Sequence, residues 1–415
     1  MKTRVLAATA VLLSTTSVYA AGLDRSFQGV SAIFADDNTV SLSFAHISPS
    51  VSGTDALGGS YDVGESYEQT SLSFTKQISD NFTLAFITDQ PYGADVFYND
   101  NPATSTLGGT GADLSSEAYK IVGKYQFSPR FSVFGGVQAQ TVRASVNLNG
   151  QAYRNAIPVA GVARAAGVSS ATLGAALQGD PTAVAALGGP AVVGALGGQV
   201  VGLQTAFDAD NGYSYSQDSQ TEYGWLIGAA YEIPDIALRL AVTYHSEIEY
   251  TANTTEQILG NTVAGTVDFV TPEAFNIDFQ TGIAKDTLLL ASYRWTEFES
   301  GDLIPVGLGS DLVNLDDGHR YTLGVGRRFS DAFSGSLTLS YEPEGDDDLV
   351  SPLGPTDGLF GISLGGRYTK DNMVISGGIN YSWLGDARPE VAGQPVASFT
   401  DNSSVAVGFK IDFTF

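Results

Sequence analysis

Cysteine is absent from the 415 residues, methionine occurs twice and histidine three times. Without cysteine, no disulfide holds the chain together, and thiolate zinc or redox sites are excluded. Positive charge is scarce. Twenty Lys and Arg stand against 45 Asp and Glu, a formal charge of −25. A nucleic acid would be repelled by such a surface, so no nucleic-acid partner is expected. The excess acid reads as solvated loop residues. Beyond the N-terminus there is no run of about 18 apolar residues, so no membrane-spanning helix is expected. That leaves strands as the means of crossing a membrane.

Glycine is abundant, with 48 residues, and 19 Tyr and 22 Phe accompany it. Many strands with aromatic girdles suit this composition better than a compact α/β enzyme. The first 20 residues read as a secretory signal. Lys2 and Arg4 form a cationic start, an apolar run follows, and "VYA" places small residues before cleavage at Ala20. The mature chain would then have about 395 residues.

Fourteen extended segments of alternating pattern follow, at 38–51, 65–78, 81–98, 114–127, 130–147, 213–232, 236–251, 266–283, 287–299, 318–329, 333–342, 358–369, 372–384 and 402–415. Their connections alternate in length. "SDN", "SPR", "IPDI", "AKD", "SDA" and "TKDN" are tight turns, and the rest are long and rich in Gly, Asp, Asn and Pro. Short turns on one rim and long loops on the other describe an outer-membrane barrel with both termini on the periplasmic side. The faces agree. Tyr119, Ile121, Tyr125 and Phe127 share one side of the fourth segment, opposite Lys120, Lys124 and Gln126. In the last segment Val405, Val407, Phe409, Ile411, Phe413 and Phe415 oppose Ser404, Lys410, Asp412 and Thr414. The expected fold is therefore all-β, a 14-stranded antiparallel transmembrane barrel over residues 38–415. The terminal Phe415 and its alternating aromatics also resemble the signal read by the barrel assembly machinery.

Two stretches break the pattern. In "NFTLAFITDQPYGADVFY" (81–98) a good strand meets Pro91, Tyr92 and Gly93, which remove a donor and weaken a ladder. Either the strand is broken within the wall, or Gln90 ends the span and Pro91 starts an extracellular loop. Residues 148–212 are rich in Ala, Gly and Val with almost no charge. Asp180–Pro181 reads as a helix cap and first turn, and Pro190 as the opening of another helix. Two or three short helices above the barrel are expected, with Leu173, Leu177, Val193 and Leu203 lining a ligand groove.

"AGLDRSFQGVSAIFADDNTVSLSFAHISPSVSGTD", "ITDQPYGADV", "AYKIVGKYQFSPRFSVFGGVQAQ" and "GHRYTLGVGRRFSDAFSGSLTLSYEP" resemble members of the OMPP1/FadL/TodX family of hydrophobic-compound channels. The resemblance spans essentially the whole mature chain. It implies a small hatch inside the barrel, a helical loop after the fifth strand and a kinked third strand that opens a hole in the wall. The chain departs from the family in its short 21–37 segment, which lacks the "NPA" tripeptide of such hatches. The "NPA" at 101–103 lies in a loop instead.

Little enzymatic chemistry is legible. His245 shares a strand face with Thr243, Glu247 and Glu249, a pattern of lumen-lining polar residues rather than a hydrolase triad. The acids of "DDGH" (316–319) and "EGDDD" (344–348) lack EF-hand spacing, and no cofactor or metal is expected. Strand parity points Lys120, Lys124, Arg239, Arg294, Arg320, Arg328, Arg367 and Lys410 into the lumen. There they either form networks with acids such as Asp278, Glu342 and Asp412 or hold a ligand carboxylate. The expected function is passive uptake of long-chain fatty acids or related hydrophobic molecules by a monomer, in contact with outer-membrane lipid and lipopolysaccharide. An aromatic or alkane hydrocarbon channel, a general aqueous porin and an outer-membrane hydrolase are the alternatives.

Overall fold

A computed structural model describes residues 23–35, 38–313, 315–345 and 349–415. The segment read as a signal peptide lies outside the described residues, as do the acids at 346–348. The barrel strands are β1 (Thr39–Ser50), β2 (Tyr67–Ser79), β3 (Phe82–Asp89 and Gly93–Phe97), β4 (Gly111–Ser128) and β5 (Phe131–Leu148). Next come β6 (Tyr213–Gln217 and Gln220–Ile233), β7 (Leu238–His245 and Ile248–Ile258), β8 (Asn261–Thr271 and Ala274–Ala284) and β9 (Thr287–Thr296). The last five are β10 (Gly318–Arg328), β11 (Phe333–Glu342), β12 (Leu359–Lys370), β13 (Met373–Leu384) and β14 (Asn402–Thr414). Each pairs antiparallel with its neighbour, and β1 closes the ring on β14 from Thr39↔Thr414 to Ser50↔Ser403. Closure pairs β1 on both edges and leaves the sheet no free terminal strand, as hydrocarbon requires.

The two faces separate as the alternation demands. Ile379, Tyr381 and Trp383 of β13 project outward, while Ser376, Asn380 and Ser382 between them are buried in the lumen. The six tight turns fall at one rim. Two of them place Asp286 (φ 59°) and Asp371 (φ 52°) in the left-handed region, which a short side chain able to bond its own backbone tolerates.

The outer rim carries more structure than the sequence indicates. The ladder of β7 and β8 continues outward as a hairpin from Ile248↔Thr271 to Ile258↔Asn261, closed by Leu259 (φ 50°) and Gly260 (φ 84°). Two consecutive positive φ values make the primed turn that matches strand twist. The long connection after β5 holds four helices rather than two or three short ones: α1 (Gly150–Ala166), α2 (Ser170–Leu177), α3 (Pro181–Ala186) and α4 (Pro190–Ala209). Asp180 caps α3 by accepting from the Ala183 amide at 2.8 Å, and Pro190 opens α4. With 20 residues and few charges, α4 is long and apolar enough to cross a membrane, contrary to the sequence-based expectation of no such segment. It packs against α1 and α2 around buried Val162, Ala163, Leu173 and Val200.

One loop acid organises the connection after β1. Asp55 accepts hydrogen bonds from the amides of Leu57 and Gly59 (both 2.8 Å), from Thr106 N (2.6 Å) and from the Tyr61 hydroxyl. Burial raises its pKa, but these donors outweigh burial and hold it at about 2. A depressed folded value means that the carboxylate's stabilisation is complete above the unfolded pKa of about 3.9 and is lost as pH falls toward 2. Protease susceptibility of the 51–64 and 100–110 loops should therefore rise between about pH 4 and pH 2, and Asp55→Asn should shift that onset to neutral pH.

Candidate functional site

Among the described residues the wall ladder is interrupted between β6 and β7, where pairing runs to Leu226↔His245 and resumes at Gln217↔Thr254, and between β2 and β3. The β2–β3 ladder runs to Ser73↔Ile87, then stops, and strand-like contact resumes only at Gly64↔Val96. Between these points β3 keeps its pairing with β4, through Thr88↔Tyr119, Asp89↔Ala118 and from Gly93↔Ser115 onward, while its other edge meets the N-terminal segment at Asp24↔Tyr92. Thr88, the first residue beyond the β2–β3 ladder, still pairs with Tyr119 of β4, whose side chain is exposed on the outer face. Strand β3 is interrupted at residues 90–92, between its Phe82–Asp89 and Gly93–Phe97 parts.

Side chains replace the missing bonds in the lower half of the break. Thr88 Oγ1 accepts from Leu72 N (2.9 Å) and Gln90 Oε1 from Thr70 N (2.8 Å), while Ser71 Oγ donates to Thr88 O at 2.7 Å. Thr88→Val with Gln90→Leu removes both acceptors. The expected loss is about 1–3 kcal/mol, read as a lower urea midpoint of the folded, heat-modifiable barrel.

The N-terminal segment occupies the upper half. Arg25 N donates to Pro91 O (2.8 Å) and Gly93 N to Leu23 O (3.0 Å), so the kink exchanges one neighbour strand for this segment. On the other side Tyr92 N donates to Ser116 Oγ at 2.7 Å. Gly93 is not in the left-handed region. Its role is space, because a Cβ there would lie 2.5 Å from the Arg25 guanidinium carbon. The two acids flanking the kink are paired rather than left in a hydrated notch. Asp89 accepts from Lys120 Nζ at 2.7 Å and Asp95 from Arg25 at 2.6 Å. Asp24 forms a buried pair with Arg294.

Deeper in the lumen, Ser31–Phe34 forms a 3-10 turn, and Ile33 is buried among Ala85, Ile87, Val122, Phe134, Leu226 and Ala241. Most basic candidates serve this segment or pair within the wall. Arg239 and Lys124 lie over the Phe34 ring, 4.5 and 5.0 Å from its centroid. Arg320 lies over Phe27 and pairs with Glu342 at 2.6 Å. Arg294 also donates to Phe27 O and to Asn276. Lys410 meets Asp412 at 2.8 Å, and Arg367 is partly buried near the same acid. Arg328 sits at the end of β10, half exposed and paired with Asp286 of a tight turn, rather than deep in the lumen.

His245 is fully buried. The strand breaks after it at Ser246–Glu247, so Ile248 and Tyr250 point inward while Glu247 and Glu249 are exposed; the shared face read from sequence ends at His245.

A second site lies outside the membrane zone. A groove of about 1110 Å³ runs between α1, the β7–β8 hairpin and the 307–312 and 390–393 loops. Tyr153, Ile157, Val168, Leu259, Leu308 and Val391 give it an apolar lining, with Arg164 at one edge. Glu256, fully buried behind the lining, holds Gly307 and Leu308 of the groove wall by accepting from Gly307 N (2.7 Å) and Leu308 N (2.9 Å), and it also accepts from Tyr213 Oη (2.9 Å). Arg164 donates to the Gly307 carbonyl at 3.1 Å from the opposite side. Leu173, Leu177, Val193 and Leu203 do not line this groove. Leu173 is buried between the helices, Leu203 packs on the same cluster, Leu177 is exposed and Val193 is half-buried. Residues that do line it went unnoticed because they come from segments far apart in sequence. Among the described residues no cluster of His, Asp and Glu could hold a metal ion, and Asp317 of "DDGH" instead accepts from the Trp295 indole at 3.0 Å.

A closed barrel with a broken third strand, an occupied lumen and a helical roof over an apolar groove matches one family model, Outer membrane protein transport protein (OMPP1/FadL/TodX), over residues 60–382. The chain belongs to the OMPP1/FadL/TodX family. It is an outer-membrane barrel of a family of hydrophobic-compound transport channels. Among solved structures it is similar to a Pseudomonas aeruginosa FadL homologue (13% identity, 92% of each chain, TM-score 0.67). It is also similar to the P. putida toluene transporter TodX (14%, 97% of this chain and 96% of that one, 0.60) and the Ralstonia pickettii toluene transporter TbuX (13%, 92% and 91%, 0.60). At these identities the likeness is one of fold. No curated protein sequence matches the chain.

Proposed function

We propose that this OMPP1/FadL/TodX member takes up long-chain fatty acids or closely related amphiphiles. The ligand is captured in the groove beneath the helical roof, enters the lumen, and leaves sideways through the break between β2 and β3. The observation that carries this reading is the pairing of an apolar outer groove of about 1110 Å³ with a wall break whose edges are polar. A tail-bearing ligand suits the first, and a polar head suits the second. Uptake of labelled oleate and of toluene, measured in an outer-membrane deletion strain carrying this chain, tests the proposal. Oleate uptake well above the vector control supports it. Toluene uptake without oleate uptake favours the hydrocarbon reading suggested by the names of the toluene transporters. Large, steady single-channel conductance in planar bilayers would instead identify an aqueous porin.

A further inference from the structure

Arg25 holds an unusual position. It belongs to the N-terminal segment inside the barrel, yet its guanidinium reaches into the wall break. There it stacks on Tyr67 of β2, 3.8 Å from the ring centroid, and pairs with Asp95 of β3 at 2.6 Å. It therefore spans the two strands that fail to pair with each other. Its side chain is only 12% exposed, and its Nε is buried with no hydrogen-bond partner among the described residues. A guanidinium has five donors in a planar fork suited to two carboxylate oxygens at once. Asp95 engages one nitrogen, so a carboxylate-binding edge is left unused.

The chemistry around it selects for a head group. The flanking anions Asp24 and Asp89 are already neutralised by Arg294 and Lys120. Below Arg25 the break is bordered by Thr70, Ser71, Thr88 and Gln90, which hydrogen-bond across it. Glu65, Glu68 and Asp113, which stands opposite Asp95 on the β3–β4 ladder, are exposed to solvent, where ions screen their repulsion. An unsubstituted hydrocarbon entering this border would separate polar groups and offer nothing in exchange.

We propose that Arg25 is the contact for the carboxylate of a long-chain amphiphile passing through the wall break, with Asp95 as the counter-ion that the ligand displaces. The inference rests on the transport reading above and narrows it to ligands with an anionic head. It makes Arg25 a specificity-determining residue for the exit step.

The test uses the purified full chain in detergent and two photoreactive probes. One is palmitic acid with a diazirine near the carboxyl group, and the other is its methyl ester. Cross-linked residues are located by mass spectrometry. The acid should mark Tyr67 and its neighbours in β2 and β3 far more than the ester does. Arg25→Gln should lower that labelling about tenfold, the loss typical of one charge-assisted contact. Asp95→Asn, which frees the guanidinium, should raise it several-fold. Heat-modifiability on gels checks that each variant is folded. Equal labelling of the break by acid and ester, unchanged labelling in folded Arg25→Gln, or no labelling of the break at all would each overturn the proposal. The transport reading is judged separately by oleate uptake in cells. Absent uptake with intact, Arg25-dependent labelling would sink transport and leave the site standing.

Discussion

Gly93→Val is expected to leave the barrel folded while cutting oleate uptake at low concentration about tenfold. The backbone of Gly93 is not in the left-handed region, so valine meets no dihedral penalty there. What it meets is Arg25. The new Cβ would stand 2.5 Å from both the guanidinium carbon and one of its nitrogens. The side chain must leave the break, and Asp95 then loses its cation. Valine is also a good strand residue on a segment already paired to β4, which favours retention of the fold. Pro91→Val makes the informative contrast. It restores a backbone donor, yet the kink is also held by Ser116 on one side and by Leu23 and Arg25 on the other. Uptake in Pro91→Val should therefore stay near wild type. Urea midpoints and uptake rates of the two variants, compared side by side, check both expectations. A normal uptake rate in folded Gly93→Val would show that the space beside Gly93 has no part in transport.

Glu256→Ala should disrupt the outer groove and spare the wall. The carboxylate is fully buried and satisfies three donors, Gly307 N, Leu308 N and Tyr213 Oη. Truncation leaves all three without a partner, at a local cost of about 3–5 kcal/mol. The 307–312 loop should then loosen from the hairpin, held only by Arg164 and by the packing of Leu303, Leu308 and Leu312. The hairpin lies beyond the membrane-spanning part of β7 and β8, so the barrel ladder has no share in the loss. Hydrogen exchange should quicken at 303–312 by an order of magnitude or more and stay unchanged in β9 to β14. If the groove captures ligand, half-saturation of uptake should rise with little change in the maximal rate. Removal of residues 160–207, the roof over the same groove, should produce the same kinetic pattern more strongly.

The barrel itself was legible in the sequence because lipid and lumen impose opposite demands on successive residues of one strand. Alternations such as Ile375, Ile379, Tyr381 and Trp383 against Ser376, Asn380 and Ser382 are local, and so are the six short turns. Both survive in a single chain read from end to end. The β7–β8 hairpin was missed because the buried face of "ANTTEQILGNTVAG" carries Ala252, Thr254 and Glu256, small or polar residues that show no apolar alternation. The helical insertion was legible in kind, through Asp180–Pro181 and Pro190, but its length was not, since glycine-rich stretches such as "GALGGQVVGLQ" become helical only when packed.

Sequence by itself determined the fourteen strands, the orientation of their faces and the tight turns, and it marked Pro91–Gly93 without deciding between a break in the wall and the start of a loop. Tertiary structure alone decided which charges meet. Parity can send Lys120, Arg294 and Arg320 inward, but it cannot say that their partners are Asp89, Asp24 and Glu342, because those pairings depend on register and on where the N-terminal segment lies. It also turned Gly93 from a hinge into a space for Arg25, and it built the outer groove from α1, the hairpin and two distant loops. Those features are contacts between segments far apart in sequence, and no local pattern encodes a distance between them.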